Sequence, residues 1–253
     1  MKTPKTRVLL FFLLSAAVCA AIAARRWPNQ TAALWNRATG VLLAAEPGQT
    51  VNGRLDQIHA RAALGLGGEL GEGRLPSNMR LVMLKEEKRL ELHVKFSKTN
   101  AWRHVKTYPV VAASGKAGPK LREGDRQVPE GEYGIESLNP NSNFYLALKV
   151  AYPSREDVEM AKRDGRATDN LGSWIMIHGN GGSIGCIAVS NAHIEEIFWL
   201  AARVGLRNVE LLSAPFDFRA RGVAVPSNAP RWTAERYERL KARMMESPKT
   251  AGD

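Results

Sequence analysis

Short apolar and alternating runs dominate the chain from residue 80 to residue 212 and predict β-strands. Between Leu90 and Phe96 every second residue is apolar, which is the pattern of a strand with one buried face. Glycine, proline and charged residues separate this run from its neighbours, as in a meander of strands. The other predicted strands occupy residues 81–84, 102–112, 133–137, 144–150, 174–177 and 209–212.

Helical periodicity marks two segments between these strands. Residues 154–164 open with Ser-Arg-Glu-Asp, a capping-box pattern that starts a helix. Residues 192–204 are amphipathic, with Ser190 or Asn191 as the predicted cap. The fold class predicted from strands and helices together is therefore α+β, a mainly β domain with flanking helices.

Two further helical segments lie outside the strand-rich region. Residues 233–245 are highly charged but carry one apolar stripe, which predicts a helix packed on the domain through that stripe. Residues 52–64 also have helical spacing, which predicts a membrane-proximal helix. The stretch 65–73 then contains five glycines in nine residues, which predicts a flexible linker.

The amino terminus has the pattern of an export signal. Basic residues precede an apolar run from Val8 to Ala24, and no acidic residue occurs before Glu46. A basic start, an apolar stretch and small residues near its end are typical of a secretory signal peptide, while the length of the run also fits a short membrane anchor. A lipoprotein signal at Cys19 is disfavoured because Val18 stands where a small residue is expected. Both the cleaved and the anchored form predict an exported protein.

Export changes how the charge and the cysteines are interpreted. The 253 residues carry a net charge of +11, and removal of residues 1–24 takes away three basic residues and no acidic one, which leaves +8. A basic exported protein is expected to meet a wall polymer or lipid headgroups rather than nucleic acid. Of two cysteines, Cys19 and Cys186, only Cys186 lies beyond the signal. A lone thiol in an oxidising compartment is either buried filler or a reactive group.

The surroundings of Cys186 favour the reactive alternative. His178 ends a predicted strand, a glycine-rich turn follows, and Gly185-Cys186 precedes the next helix. A phosphate-binding loop has a similar outline, but Ile184 stands where its third glycine is needed. An imidazole near a thiol can stabilise the thiolate and return the proton to a leaving amine, and consecutive backbone amides can hold an oxyanion. The segment therefore predicts acyl transfer through a thioester; the alternative is a buried thiol beside a structural histidine.

These residues carry a family resemblance. The Ile-His-Gly sequence ending at Gly179 and the Ser-Ile-Gly-Cys turn ending at Cys186 resemble the signature of L,D-transpeptidase catalytic domains of the YkuD type, and most closely their YafK-like branch. The stretch 111–134 is similar to the family's sequence before the catalytic segment, so the resemblance covers residues 80–212. It implies the β-sandwich-like fold of that family.

The resemblance also implies roles for individual residues. Cys186 would be the nucleophile and His178 the proton donor and acceptor. The backbone amides of Gly185 and Cys186 would hold the oxyanion, and the carbonyl of Gly179 would orient the imidazole. Ser183 is a further candidate for substrate contact.

Two positions depart from the family pattern. Ile184 replaces the second histidine of the usual turn, and Ala188 replaces an Arg or Asn that helps to bind the peptide donor. The substrate is therefore less certain than the nucleophile. Basic residues of the upstream loop could bind substrate carboxylates instead, the candidates being Lys116, Lys120 and Arg122.

The predicted function is that of a periplasmic or cell-envelope cysteine transpeptidase acting on peptidoglycan stem peptides and transferring them to an amine acceptor. A hydrolase of the same fold, cleaving diaminopimelate-linked peptide or peptidoglycan–lipoprotein bonds, and a non-catalytic wall-binding module remain alternatives. No cofactor, metal or nucleic acid is expected, and an uncleaved amino terminus would add contact with the inner membrane. The predicted regions are a signal peptide or anchor at 1–24, a helical and linker preface at 25–76, the catalytic domain at 77–214 and a C-terminal extension with a charged helix at 215–253.

Overall fold

A computed structural model of the chain describes residues 49–70, 74–97 and 101–248. The predicted signal peptide or anchor at 1–24 lies outside the described residues, as does most of the preface at 25–76. None of the helices in the described ranges is long and apolar enough to cross a membrane.

Within these described ranges, nine strands form one continuous sheet in the order β3-β2-β1-β9-β5-β6-β7-β8-β4. Neighbouring strands are antiparallel except for two parallel pairs, β1 with β9 and β7 with β8. Together with the helices, this sheet confirms the predicted fold class, mainly β with flanking helices. The strands are β1 (Asn78–Leu84), β2 (Arg89–Lys95), β3 (Trp102–Pro109), β4 (Ala112–Ala113), β5 (Gly131–Ser142), β6 (Tyr145–Val150), β7 (Met176–His178), β8 (Ile187–Ala188) and β9 (Val209–Ala214).

Most predicted strands differ from the structure only in their bounds, but one predicted run divides in two and another starts later. The run 102–112 divides into β3, which pairs with β2, and β4, which pairs with β8 at the far end of the sheet. The run 174–177 becomes β7 and begins only at Met176, because Trp174 has a φ of 58°. A left-handed backbone conformation cannot continue a strand.

Four helices of the described residues flank the sheet: α1 (Val51–Leu70), α2 (Arg155–Arg163), α3 (Asn191–Val204) and α4 (Thr233–Met245). The predicted capping box of α2 is present, since the Ser154 hydroxyl accepts from the Asp157 amide and the Asp157 carboxylate accepts from the Ser154 amide. Ser190 caps α3 through the amide of His193.

The sheet separates two hydrophobic clusters because alternate residues of a strand point to opposite faces. Leu81 and Met83 of β1 belong to the larger cluster, which they share with α1 and α3. Val82 and Leu84 belong to the smaller cluster, which they share with Tyr237 and other residues of α4. The predicted packing of the charged C-terminal helix through its apolar stripe is therefore confirmed.

Helix α1 corrects the prediction of a flexible linker over residues 65–70, while residues 71–73 of that prediction lie outside the described residues. The helix continues through the glycines to Leu70, and its buried stripe, which includes Ile58 and Leu66, is part of the larger core. At Gly65 an added Cβ would lie 2.2 Å from Oε1 of Glu196 on α3. The glycine therefore allows two helices to approach closely, and packing outweighs its low helix propensity.

A buried arginine joins the sheet to the end of the C-terminal helix. Arg80 of β1 is fully buried, and its guanidinium donates to the carbonyl of Arg243 and to the hydroxyl of Ser247, both at 2.9 Å. It also forms ion pairs with Glu210 at 2.8 Å and Glu246 at 2.9 Å. A buried charge needs such partners, so α4 and the residues after it complete the environment of Arg80.

Candidate active site

The parallel pair β7 and β8 brings the two predicted catalytic residues to one edge of the fold. His178 is the last residue of β7 and lies opposite Ala188 of β8. Cys186 directly precedes β8 and lies two residues before Ala188. The parallel pairing therefore places Cys186 at the start of one strand and His178 at the end of its neighbour. The glycine-rich turn 179–185 joins them.

Cys186 is the free cysteine of the described residues, and its side chain is partly exposed. Its thiol donates to the carbonyl of Trp174 at 3.6 Å. Burial raises the pKa of the Cys186 thiol, and the backbone amide of Met176 and the positive charge of Lys120 only partly offset this. The resting thiol is therefore protonated at neutral pH and needs a base to become a nucleophile.

His178 supplies a suitable base. The residue is 1% exposed, and its Nδ1 lies 2.7 Å from the carbonyl oxygen of Gly179. A carbonyl can only accept, so Nδ1 carries the proton and Nε2 keeps a free lone pair. Burial lowers the pKa of His178, against the smaller opposing effect of the Gly179 carbonyl, and keeps the ring neutral at neutral pH. The ring of Phe144 packs against the imidazole with the centroids 4.6 Å apart.

The start of the turn is fixed by helix α3. Any Cβ at Gly179 would lie 2.6 Å from Oδ1 of Asn191 and 2.9 Å from Cγ2 of Ile194, so no side chain fits there. The same Asn191 oxygen accepts a hydrogen bond from the amide of Asn180 at 2.8 Å. The carbonyl that faces His178 is therefore held in place by the first turn of α3.

The end of the turn is fixed by a residue that the motif does not contain. Gly185 is buried with a φ of +92°, a conformation that favours glycine, and its amide donates to the Ser114 hydroxyl at 2.7 Å. The Gly185 amide expected to hold the oxyanion therefore already has a partner, and an oxyanion would use that amide by displacing the Ser114 hydroxyl. The Ser183 hydroxyl also bonds within the turn, to the carbonyl of Cys186. It therefore offers a substrate an acceptor oxygen and no free proton.

Lys120 lies near the nucleophile but is engaged by its own loop. Its ammonium group is buried, forms an ion pair with Asp125 at 2.7 Å and donates to the carbonyl of Arg122 at 2.8 Å. A substrate carboxylate would have to compete with Asp125 for this group. The side chains of Lys116 and Arg122 are exposed.

Large apolar side chains are exposed around the turn, and the ammonium group of Lys149 lies 4.6 Å from the ring centroid of one of them, Trp174. Ile184 is 75% exposed and Trp174 is 66% exposed, although both are large hydrophobic residues next to the nucleophile. Val111, also exposed, lies beside Gly181 of the turn. Large apolar side chains exposed together are typical of a binding surface. Within the described ranges no group of three or more His, Cys, Asp or Glu is arranged to hold a metal ion.

A family model matches the part of the chain that contains this site. The model is that of YkuD, the L,D-transpeptidase catalytic domain, and it matches residues 82–207. This domain belongs to the YkuD family. The YkuD domain of this chain carries both Cys186 and His178 within the matched residues, so the resemblance first drawn from the motif is confirmed.

A curated relative agrees with the match to the YkuD family model. The protein named "Putative L,D-transpeptidase YafK" from Escherichia coli strain K12 is 37% identical over 118 residues, which cover 46% of this chain and 44% of the relative. The chain therefore spans less than half the length of the curated relative.

Solved structures resemble the YkuD domain more distantly. The helical cell shape determining protein Pgp2 from Campylobacter jejuni is 20% identical, with a TM-score of 0.41, over 65% of this chain and 55% of that one. L,D-transpeptidase 1 from Mycobacterium tuberculosis is 14% identical, with a TM-score of 0.31, over 54% of this chain and 61% of that one.

Proposed function

We propose that this protein is a cysteine L,D-transpeptidase of the cell envelope that acts on peptidoglycan stem peptides through a thioester on Cys186. The observation that carries the proposal is a partly exposed Cys186 thiol on the strand next to that of His178, whose Nδ1 proton is held by the carbonyl of Gly179, inside a YkuD domain. The name of the Escherichia coli relative supports the same reaction class.

The proposed reaction starts from a neutral thiol and a neutral imidazole. Nε2 of His178 takes the proton of the Cys186 thiol as the sulfur attacks the substrate carbonyl next to a D-configured centre. The tetrahedral intermediate collapses to a thioester while the imidazolium returns its proton to the departing amine. An acceptor amine then attacks the thioester and loses its proton to Nε2. The carbon–sulfur bond breaks as the new amide forms, and the imidazolium returns the proton to sulfur, which restores the neutral thiol and imidazole.

The acceptor determines the name of the reaction. An amine gives a cross-link or a tether to a wall-linked lipoprotein, whereas water gives hydrolysis of a diaminopimelate-linked bond. Export or anchoring through residues 1–24 would bring the domain to this substrate in the periplasm, and an anchored form would also contact the inner membrane. The basic character of the chain is compatible with an anionic wall polymer as partner.

The test incubates the full chain with muropeptides and a free D-amino acid and follows the products by mass spectrometry. We expect exchange products from the native protein and an acyl adduct on Cys186. Products that are only shortened would assign the hydrolase instead, and retention on sacculi without any product would assign a wall-binding module.

Cys186→Ala is the decisive variant, with the exposed Ser227→Ala as its matched control. We expect Cys186→Ala to abolish turnover, because no other described residue offers a free thiol. Ser227→Ala is expected to keep the native rate. Native turnover in Cys186→Ala would overturn the thioester mechanism.

A further inference from the structure

The structure assigns Ser114 as a positioning residue that holds the nucleophile turn through the amide of Gly185. This inference rests on the proposed role of Cys186 as the nucleophile. Ser114 lies 71 residues before Gly185, and its hydrogen bonds within the described part of the chain reach neither Cys186 nor His178. Its effect on the reaction would therefore pass through the backbone of the turn.

The Ser114 hydroxyl joins two segments by accepting one hydrogen bond and donating another. It accepts from the Gly185 amide at 2.7 Å and donates to the Arg126 carbonyl at 2.8 Å. The carbonyl of Ser114 accepts from the Val128 amide at 3.3 Å, which fixes the residue against the same loop. Threonine has a hydroxyl that can form both side-chain bonds, and alanine can form neither.

The loop that receives this contact is itself rigidly held. The Asp125 carboxylate accepts from the amides of Leu121 and Gln127 at 2.8 Å and 3.0 Å, in addition to its ion pair with Lys120. These bonds fix the residues on both sides of Asp125. The Arg126 carbonyl therefore offers Ser114 a fixed anchor rather than a mobile one.

A buried ion pair braces the loop from the other side. Lys85 donates to the Glu130 carboxylate at 2.8 Å and to the Lys116 carbonyl at 2.7 Å. Glu130 also accepts from the amide of Gly118 at 3.0 Å and from the hydroxyl of Tyr237 on α4. These hydrogen bonds connect the C-terminal helix, which lies outside the residues matched by the family model, to the loop that holds Ser114.

The turn is therefore held at both ends, by Asn191 at Asn180 and by Ser114 at Gly185. Gly185 directly precedes the nucleophile, so release of its amide would loosen the sulfur while leaving His178 in place. The rate of a reaction falls steeply when the reacting groups lose their alignment. A looser turn would also hydrate the thiol and reduce the burial that raises its pKa.

The experiment compares Ser114→Ala, Ser114→Thr and the control Ser227→Ala in the full chain. We expect Ser114→Ala to lower kcat about tenfold, the usual effect of one lost hydrogen bond, with KM changed less than about twofold. The pH midpoint of Cys186 alkylation by iodoacetamide is expected to move down. Ser114→Thr is expected to restore both quantities, and Ser227→Ala to change neither.

Two outcomes would overturn the assignment. One is a Ser114→Ala protein with native kcat and a native alkylation midpoint; the other is a Ser114→Thr protein as impaired as Ser114→Ala, since the hydroxyl would then not matter. If Ser114→Ala does not fold, hydrogen exchange of the Gly185 amide in the native protein decides, with slow exchange supporting the contact and unprotected exchange refuting it. Alkylation needs no substrate, so a native protein without turnover would refute the proposed function and leave this test intact.

Discussion

Two groups of buried titratable residues in this molecule are held in opposite ways. At the candidate active site, Cys186 and His178 have backbone partners, the Trp174 and Gly179 carbonyls. Burial therefore dominates, raising the pKa of the thiol and lowering that of the imidazole. Both groups rest in their neutral forms and can exchange a proton when a substrate arrives.

The second group lies on the face of the sheet that α4 covers. Glu91 of β2 is fully buried, accepts from Arg219 at 2.8 Å and pairs with Nε2 of His93 at 2.9 Å. Burial opposes the ionisation of Glu91, but the bonds from His93 and Arg219 outweigh it and hold its pKa below the usual value. The charge of Arg219 and the hydrogen bond from His93 thus keep this buried carboxylate ionised. Both groups are buried, so burial alone does not distinguish a reactive pair from a structural one. The difference lies in the hydrogen-bond partners, which are backbone carbonyls at the candidate active site and include a charged arginine in the structural group.

Removal of the base should have the largest effect. We expect His178→Ala to lower turnover of muropeptides at least about 100-fold, because general acid–base catalysis contributes that much or more. The acid limb of the native pH–rate profile should lie below about pH 6.5, since the pKa of His178 is lowered from its ordinary value. His104→Ala, on the edge strand β3, is the control and should keep native turnover. An equal loss in both variants would show that the effect is on folding.

The structural cluster should respond in stability and not in thiol reactivity. We expect Glu91→Gln to lower the free energy of unfolding by about 3 kcal/mol, because it leaves Arg219 buried with one charged partner fewer. The exposed Glu136, 2.8 Å from Lys149, offers the control Glu136→Gln, for which we expect a loss below about 1 kcal/mol. Urea titration measures both values.

The pH dependence of that loss gives a second check. A carboxylate whose folded pKa is lowered stabilises the fold above its unfolded pKa of about 4.3, and this contribution disappears as the pH falls through the folded pKa. The difference between native protein and Glu91→Gln should therefore shrink below about pH 4. A difference that is constant down to pH values of about 2 would contradict an ionised Glu91.

The smallest effect is expected at Lys120, and it tests what controls the pKa of Cys186 at the candidate active site. The charge of Lys120 lowers the pKa of Cys186 in opposition to burial. We expect Lys120→Met to raise the pH midpoint of Cys186 alkylation, and Lys120→Arg to leave it near the native value. A lower alkylation midpoint in Lys120→Met would show that the charge of Lys120 does not lower the pKa of Cys186.

Features encoded by neighbouring residues could be predicted from the sequence. The capping box at Ser154, the strand around Leu92 and the strand–turn arrangement of His178 and Cys186 depend on contacts within a few positions along the chain. Pattern and local chemistry suffice for such elements. The same reasoning located the apolar stripe of α4 because the stripe repeats with the helical period.

Features that depend on distant partners could not be predicted in this way. Gly65 resembles a linker residue until α3 is packed against it, and then the missing side chain is what permits the contact. Lys120 resembles a solvated cation, but Asp125 and the surrounding loop bury it. The hydroxyl that occupies the Gly185 amide comes from Ser114, 71 residues away, and no motif spacing indicates it.

Arg80 is buried against residues that lie beyond the end of the family match. The cooperative folding unit therefore extends further along the chain than the match does. A fragment ending at residue 207, where the match ends, would lose β9 and α4 and with them the partners of Arg80 at Arg243 and Ser247. The apolar side chains of β1 that face α4 would then meet water beside an unpaired guanidinium, a combination that promotes self-association. The residues matched by the family model therefore form a shorter segment than the one needed for a stable fold. Strand β9 and helix α4 must also be synthesised before the catalytic turn is stably supported.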